Sequence, residues 1–499
     1  MHPCIAVIDI GSNSARLVIY QESSQYGFHL VCERKSKVRI GEGAYQKNGN
    51  LQSIGINRAF LALEEFIETT KNYPTTKILA VATSALRDAP NGTSFIKWIK
   101  SELNLEIQII DGKTEATYGA IAAQNLLPIT EGITIDIGGG SSDLALIRDS
   151  KIIDTYSLNL GTVRLKELFF DKERPILESR AFIAEALKKL PRHFKSSLAI
   201  GIGGTARTLS RGIMKSINYP LDDIHAFTYP LEKAQWEYFE NISESKISLL
   251  KYLYLPKGRF DTIREGTLIW QEVLQHIEAK EVITSGVGVR EGVFLKKFLA
   301  KEPDRLFPKE INPSIVSMLD RFKSQHIDTS KRIESCKKLF HLFSKEHTIK
   351  EKYLHTLLYA IELSPIGYKF NIYQSFQHTF YVTMQEFNYK ISHEEMILTA
   401  MILRFGGKGL YRKELYAPYK MLLPSKTSLE YLSFIFTIIS TLYDLTSIKY
   451  FDFTLKKNLL TIIAEGSLHL AMEKLQEIER PKELKLKIID KKKIPHYNF

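Results

Sequence analysis

Two short segments of this chain carry residues suited to phosphate chemistry, and they are near copies of each other. The first runs Ile5-Ala6-Val7-Ile8-Asp9-Ile10-Gly11-Ser12-Asn13-Ser14-Ala15-Arg16-Leu17, and the second Ile133-Thr134-Ile135-Asp136-Ile137-Gly138-Gly139-Gly140-Ser141-Ser142-Asp143-Leu144. Each reads as a β-branched strand ending in Asp-Ile-Gly, a turn of glycine and small hydroxyl residues, and a second apolar strand. A turn without bulky side chains exposes backbone N–H groups, several of which can hold one anionic oxygen together. Gly11, Ser12, Asn13 and Ser14 in one copy, and Gly138, Gly139, Gly140 and Ser141 in the other, are therefore candidate phosphate ligands. One such turn alone would only connect two strands. Its repetition implies a duplicated unit and a two-lobed body, with the turns facing each other across a cleft.

The elements that must position these turns follow from the pattern of apolar residues. After the first hairpin comes another strand pair up to Gly41, then a helix over about 54–70, a strand over 77–82, and Thr83-Ser84-Ala85-Leu86-Arg87-Asp88 opening the next element. A helix near 94–103, a strand over 106–110 and a helix over about 113–125 complete the first half. Strand, hairpin and helix recur from Gly132, and Leu198-Ala199-Ile200-Gly201-Ile202 runs into a third glycine turn, Gly203-Gly204-Thr205. A last strand over 281–285 leads into Gly286-Val287-Gly288-Val289-Arg290-Glu291-Gly292 and a helix. This is alternating α/β in two lobes. Prolines 303, 308 and 313 mark a linker, and the remainder is helical in pattern with shorter β-like stretches after Asp444. The expected domains are lobes over 1–125 and 126–300, a linker over 301–313, and a helix-rich basic domain over 314–499.

Composition limits the classes of function. At 499 residues the chain is too long for one core. Three cysteines, Cys4, Cys32 and Cys336, lie far apart without metal-ligand spacing, which indicates neither a disulfide framework nor a zinc site and fits a reducing cytoplasm. No secretion signal is expected, because Asp9 interrupts the first apolar segment. The longest apolar stretch, 431–443, carries Ser433, Thr437, Ser440 and Thr441 and falls short of the roughly 20 residues a membrane span needs. It predicts a buried helix. The net charge of +12 is uneven: residues 1–300 hold 37 Lys and Arg against 34 Asp and Glu, whereas residues 301–499 hold 31 against 22. The excess includes Lys482, Lys485, Lys487 and the run Lys491-Lys492-Lys493. Clustered cations recruit polyanions, although the last run reads equally well as a solvated tail.

In order and spacing, the motifs resemble those of the exopolyphosphatase and guanosine pentaphosphate phosphohydrolase family, a branch of the actin, Hsp70 and sugar-kinase fold. The resemblance covers 5–300: Asp9 to Ser14, Ala82-Thr83-Ser84-Ala85-Leu86-Arg87, Glu115-Ala116 before Gly119, Asp136 to Ser141, Gly203-Gly204-Thr205, and Ser285 to Gly292. It implies two ribonuclease-H-like lobes and release of the terminal phosphate from linear polyphosphate. It also implies attack on guanosine 5'-triphosphate 3'-diphosphate, magnesium in the interlobe cleft, and a homodimer; no membrane partner is expected, and nucleic acid is not the expected ligand.

Phosphoryl transfer requires charge neutralisation on the equatorial oxygens, a metal and a positioned water more than it requires a protein nucleophile. The three turns supply N–H donors, and Arg87 a two-pronged phosphate contact. Glu115 stands in the first turn of its predicted helix, where an acid already suits the positive helix end. The resemblance makes it the general base that takes a proton from the attacking water. Metal candidates are Asp143, Glu115, Asp9 and Asp136; the two strand-end aspartates either bind metal through water or brace their turns. Asp143 departs from the family pattern, which commonly has Glu there, so its reach is one methylene shorter. In the C-terminal region the resemblance is to a helical domain related to the His-Asp metal phosphohydrolases. Leu363-Ser364-Pro365-Ile366-Gly367 stands where that family often has Leu-His-Glu-Val-Gly, which leaves His378 without the ligand pair and points to a degenerate domain used for binding. Two rival classes remain: an ATP-dependent kinase of the same broad fold, and a non-catalytic binder of alarmone or RNA.

Overall fold

Strand β1 (Cys4–Ile10) is an almost unbroken apolar run because both its faces are buried. It pairs antiparallel with β2 (Ala15–Glu22), which pairs antiparallel with β3 (Phe28–Ser36). On its other side β1 pairs parallel with β4 (Thr75–Ala82), and β4 with the short β5 (Ile107–Ile109). The sheet order is therefore β3-β2-β1-β4-β5. Helix α1 (Ser53–Thr70) buries Ala59, Leu63 and Phe66 in a core shared with Ile8, Ile10, Leu17 and Ile19. The one-turn α2 (Ser84–Arg87) follows β4, and α3 (Gly92–Leu103) adds Phe95 and Ile99 to the same core. The computed structural model describes residues 2–43, 48–322, 329–347, 349–406 and 412–491.

Helix α4 (Gly112–Leu126) starts at Asp111, whose carboxylate accepts the Thr114 N–H at 2.7 Å. The second sheet is built from β6 (Gly132–Ile137), β7 (Ser142–Arg148), β8 (Lys151–Leu158), β9 (Leu198–Ile202), β10 (Thr228–Pro230) and β11 (Glu281–Thr284), ordered β10-β11-β9-β6-β7-β8. Strands β8-β7-β6-β9-β11 repeat the pairing directions of β3-β2-β1-β4-β5 throughout. The duplicated motif thus belongs to a duplicated sheet. Helices α5 (Thr162–Leu168), α6 (Ile176–Leu187), α7 (Gly203–Ser216), α8 (Lys233–Glu244) and α9 (Ile263–His276) contribute to its core, with Phe194, Phe239, Trp270 and Leu274 fully buried.

Two helices exchange lobes. Ala116, Ala120 and Ala123 of α4 pack on Ala145, Ile147 and Ile200 of the second sheet. Small side chains let a helix lie that close. The boundary expected at 125 therefore falls at the end of a helix that already packs on the second lobe. Conversely, α10 (Val289–Phe298) leaves the second sheet: Phe294 stacks on Tyr20 at 4.4 Å and lies 4.9 Å from Phe28, and Phe298 lies 5.4 Å from Phe28. The two helices cross at Gly292, where a Cβ would stand 1.9 Å from the Tyr118 carbonyl oxygen.

The chain divides into two compact units, Met1–Pro313 and Ser314–Phe499. The second contains α11 (Pro313–Phe322), α12 (Ser330–His347), α13 (Leu354–Leu363), α14 (Ser375–Glu386), α15 (His393–Phe405), the short α16 (Lys413–Tyr416) and α17 (Lys426–Leu445). It closes with β12 (Asp452–Lys456), β13 (Leu459–Ala464), α18 (His469–Glu477) and β14 (Lys485–Asp490), the strands forming one sheet in the order β12-β13-β14. The apolar stretch 431–443 lies in α17, with Leu432, Phe434, Ile435, Phe436, Ile438, Ile439 and Leu442 fully buried. Among the described residues no helix is long and apolar enough to cross a membrane.

Candidate active site

Directly opposed residues of antiparallel strands point to one face. The register therefore lays down two rows of three. In the first sheet Asp9 opposes Arg16, and Arg16 opposes Lys35. At the equivalent places of the second sheet Asp136 opposes Asp143, and Asp143 opposes Ser157. One fold position thus supplies cations in one lobe and a carboxylate and a hydroxyl in the other.

Each hairpin turn closes on itself in the same way. The Gly11 N–H donates to the Ser14 carbonyl at 3.1 Å, and the Gly138 N–H to the Ser141 carbonyl at 2.9 Å. Those two N–H groups, both candidates from sequence, are spent on the turns; residues 12–13 and 139–140 lie inside them. The turns approach closely, since a Cβ on Gly139 would stand 2.5 Å from Ser12 Oγ. The third turn joins them through Gly203, whose φ of +79° places it in the left-handed region. A Cβ there would strike Asp136 Oδ1 at 2.1 Å, so glycine brings the start of α7 against that carboxylate. Gly204 likewise leaves room for the Arg259 guanidinium, whose Nη2 lies 2.1 Å from where a Cβ would be.

These parts enclose a cavity of about 580 Å³. Ser12, Asn13, Ser14, Gly138, Gly139, Gly140, Gly204 and Thr205 line it, whereas Gly11, Ser141 and Gly203 do not. Arg16, Lys35, Arg39, Lys166 and Arg259 also line it, with Glu42, Asp88, Glu167 and Asp261. Burial, followed by the charges of Arg16 and Arg259, holds the Lys35 ammonium below its ordinary pKa. Three crowded cations of this kind are relieved by an anion. The sequence reading missed all five cations. Arg16 alone left a signal there, because it holds in the first motif the place Asp143 holds in the second.

The carboxylates form a group of their own. Asp143 is buried; its Oδ1 accepts from Ser157 Oγ at 2.5 Å and its Oδ2 from Ser141 Oγ at 3.2 Å. Burial pushes its pKa up to about 7, opposed by the Ser157 bond and raised further by Asp136. Asp136 rises to about 6, mainly by burial. Asp9 is also raised, by burial first. Glu115, in the first turn of α4, is raised well above its ordinary value by burial and then by Asp143, Asp136 and Asp9, with Arg87 opposing. Its Oε2 is buried without a hydrogen-bond partner among the described residues. Arg87 faces that oxygen at 3.6 Å, donates to the Ile110 carbonyl at 3.1 Å and lies 3.4 Å from Asp88. It is thus engaged with protein groups, and neither it nor Glu115, Asp143, Asp136 or Asp9 lines the cavity.

Among the described residues no group of three or more His, Cys, Asp or Glu side chains is arranged to hold a metal ion. The donor chemistry nonetheless suits magnesium, which is held by one or two carboxylates and completes its octahedron with water and phosphate. The orphaned Glu115 oxygen and the mutual repulsion of four carboxylates are what such a cation would relieve.

The segment Ser285 to Gly292 braces this centre. The Glu291 carboxylate accepts from the Tyr20 hydroxyl and the Gly288 N–H, both at 2.7 Å, and so joins α10 to β2. Arg207 donates to the Ser285 and Val287 carbonyls at 2.8 and 3.0 Å, and Arg290 lies 3.1 Å from Glu33. In the second unit, Ser364 to Gly367 form a buried turn: the Gly367 N–H donates to Thr379 Oγ1 at 2.9 Å, and His378 lies tilted against Phe370, ring centroids 6.1 Å apart. Lys482, Lys485, Lys487 and Lys491 are exposed; Lys492 and Lys493 lie outside the described residues.

The model of the Ppx/GppA phosphatase family matches residues 18–301. A bifunctional 3-dehydroquinate synthase/phosphatase from Fusobacterium nucleatum is 29% identical over 300 residues, which are 56% of this chain and 44% of that protein. The chain thus spans less than half the length of this curated relative. A crystal structure of the Aquifex aeolicus Ppx/GppA family member is 27% identical with a TM-score of 0.52, covering 61% of this chain and 100% of that one. An exopolyphosphatase from Cytophaga hutchinsonii, 23% identical with a TM-score of 0.54 over 59% of this chain and 97% of that one, shares the fold.

Proposed function

The chain belongs to the Ppx/GppA phosphatase family, and from that membership we propose that it hydrolyses the terminal phosphoanhydride of linear polyphosphate and of guanosine 5'-triphosphate 3'-diphosphate, with magnesium. The observation that carries the reading is the cavity of about 580 Å³, in which two glycine turns and the crowded cations Arg16, Lys35 and Arg259 face one space. Such a lining suits a chain of phosphates better than a neutral ligand. In the proposed reaction the terminal phosphate rests on the inner N–H groups of the turns and on the start of α7. Water attacks phosphorus, its proton passes to Glu115, and the bond to the bridging oxygen breaks, leaving the shortened chain and orthophosphate. Arg87 holds Glu115 in place and favours its charged form. Magnesium, held by Asp143 with Glu115, Asp136 and Asp9 nearby, would neutralise charge on the phosphate oxygens.

We read residues 314–499 as a degenerate relative of the His-Asp domain that adds binding surface, and the protein as a homodimer. Support for the first is the buried Ser364–Gly367 turn at the place of the missing ligand pair. Phosphate release from long polyphosphate, guanosine pentaphosphate and ATP, with magnesium and with EDTA, tests the reaction. Magnesium-dependent release from either of the first two supports it. Turnover of ATP alone, with transfer to an acceptor, would replace hydrolysis by a kinase reaction.

A further inference from the structure

Asp143 stands where the resemblance to the family leads one to expect a glutamate, and Ser157 lies against its carboxylate. Ser157 opposes Asp143 across β7 and β8, and its hydroxyl donates to Asp143 Oδ1 at 2.5 Å. Beside that hydroxyl and the carboxylate lies the first residue of α4. A Cβ on Gly112 would stand 2.1 Å from Ser157 Oγ, 2.3 Å from its Cβ and 3.0 Å from Asp143 Oδ1. Aspartate, serine and helix start are therefore packed without a gap, and Glu115 follows three residues along the same turn. A side chain one methylene longer at 143 would crowd its carboxylate against the Ser157 hydroxyl and the start of α4, which runs close beside both.

We propose that Ser157 is a positioning residue that fixes the Asp143 carboxylate for the divalent cation, and that the pair Asp143–Ser157 replaces the single longer glutamate. The inference rests on the reading of Asp143 as a metal-holding residue. The short Ser157 bond on Oδ1, with the longer Ser141 bond on Oδ2, sets the plane of the carboxylate, and each oxygen keeps a lone pair for the ion or the ion's water. Partners that orient metal-binding carboxylates contribute about 10–100-fold to metal affinity. The packing also makes the two positions interdependent: glutamate at 143 is tolerated only when the hydroxyl at 157 is absent.

The test uses full-length protein and Mn²⁺ as the probe, titrated and followed by electron paramagnetic resonance, which needs no turnover. Ser157→Ala should weaken Mn²⁺ binding about tenfold or more while circular dichroism stays unchanged. Asp143→Glu should weaken it as well, and Asp143→Glu combined with Ser157→Gly should bind more tightly than Asp143→Glu alone. If phosphate release is measurable, the magnesium concentration for half-maximal activity should follow the same order, with KM at saturating magnesium little changed. Unaltered Mn²⁺ affinity in Ser157→Ala, or a double variant no better than Asp143→Glu, would overturn the proposal. Should Ser157→Ala fail to fold, the comparison of Asp143→Glu with and without Ser157→Gly decides the matter. If Asp143→Ala also leaves Mn²⁺ affinity unchanged, the metal-holding reading falls with it. Lost hydrolysis in a wild type that keeps the Mn²⁺ order would instead overturn only the reaction.

Discussion

Glu115 combines an ordinary place, the first turn of a helix, with surroundings that resist its ionisation, since burial and three aspartates raise its pKa. A base is useful when its pKa lies near the working pH. Glu115→Gln should retain substrate binding and lose turnover by about 100-fold or more; near-normal phosphate release from the purified variant would remove Glu115 from the reaction. The aspartates give a second expectation. Asp143 and Asp136 have folded-state values raised from 3.8 to about 7 and about 6, so the native state favours their protonated forms. Their contribution to stability is complete below about pH 4 and is lost as pH rises through about 6 to 7. Thermal melts in EDTA should therefore show Asp143→Asn gaining on the wild type between pH 5 and pH 8; a constant difference would mean that Asp143 is not buried against its charge. Aspartates and glycines of the site were legible because they sit in repeated, punctuated motifs. Lys35 and Arg259 were not, because a lone cation on an exposed strand end or in a single 3-10 turn carries no periodicity; strand register brings Lys35 to the cavity, and packing against Gly204 brings Arg259.

At the level of elements, the approach of the two hairpin turns is set by the missing side chain at Gly139. Gly139→Ala should collide with Ser12 Oγ at 2.5 Å, raising KM for phosphate release. Adding Ser12→Ala removes the colliding atom and should recover part of the loss, whereas equal KM values for single and double variants would mean that the turns yield elsewhere. The crossing of α4 and α10 is tighter still. Gly292→Ala should destabilise the protein by about 1–3 kcal/mol, the usual cost of overpacking, seen as a lower denaturation midpoint. The duplicated strands and most helices follow from alternation and helical spacing, and the shared strand order of the two sheets matches the repeated motif. Helix ownership does not follow from spacing. The alanine face of α4 and the aromatic face of α10 read simply as apolar stripes, and which sheet each covers is decided by tertiary packing between residues such as Tyr20 and Phe294, far apart in sequence.

For the whole molecule, the unequal distribution of charge is the feature to test. The segment after residue 300 has 31 Lys and Arg against 22 Asp and Glu, and each phosphate held by a cation adds an electrostatic, salt-sensitive increment of binding. Protein ending at Pro313, confirmed folded, should hydrolyse very short substrates normally, bind long polyphosphate less tightly, and show a flatter salt dependence of KM for long chains. Equal losses for short and long substrates would mean that residues 314–499 act through stability or assembly. The exchange of helices between lobes has its own consequence, for the order in which the protein can be completed at the ribosome. The strands of the first sheet emerge early, yet Tyr20 and Phe28 pack against Phe294, Phe298 and Phe307, which are made much later. At about 5–20 residues per second, the intervening stretch takes roughly 10–50 s to synthesise. The lobe translated first is therefore the lobe finished last, and its bare aromatic face is where a nascent-chain chaperone would be needed.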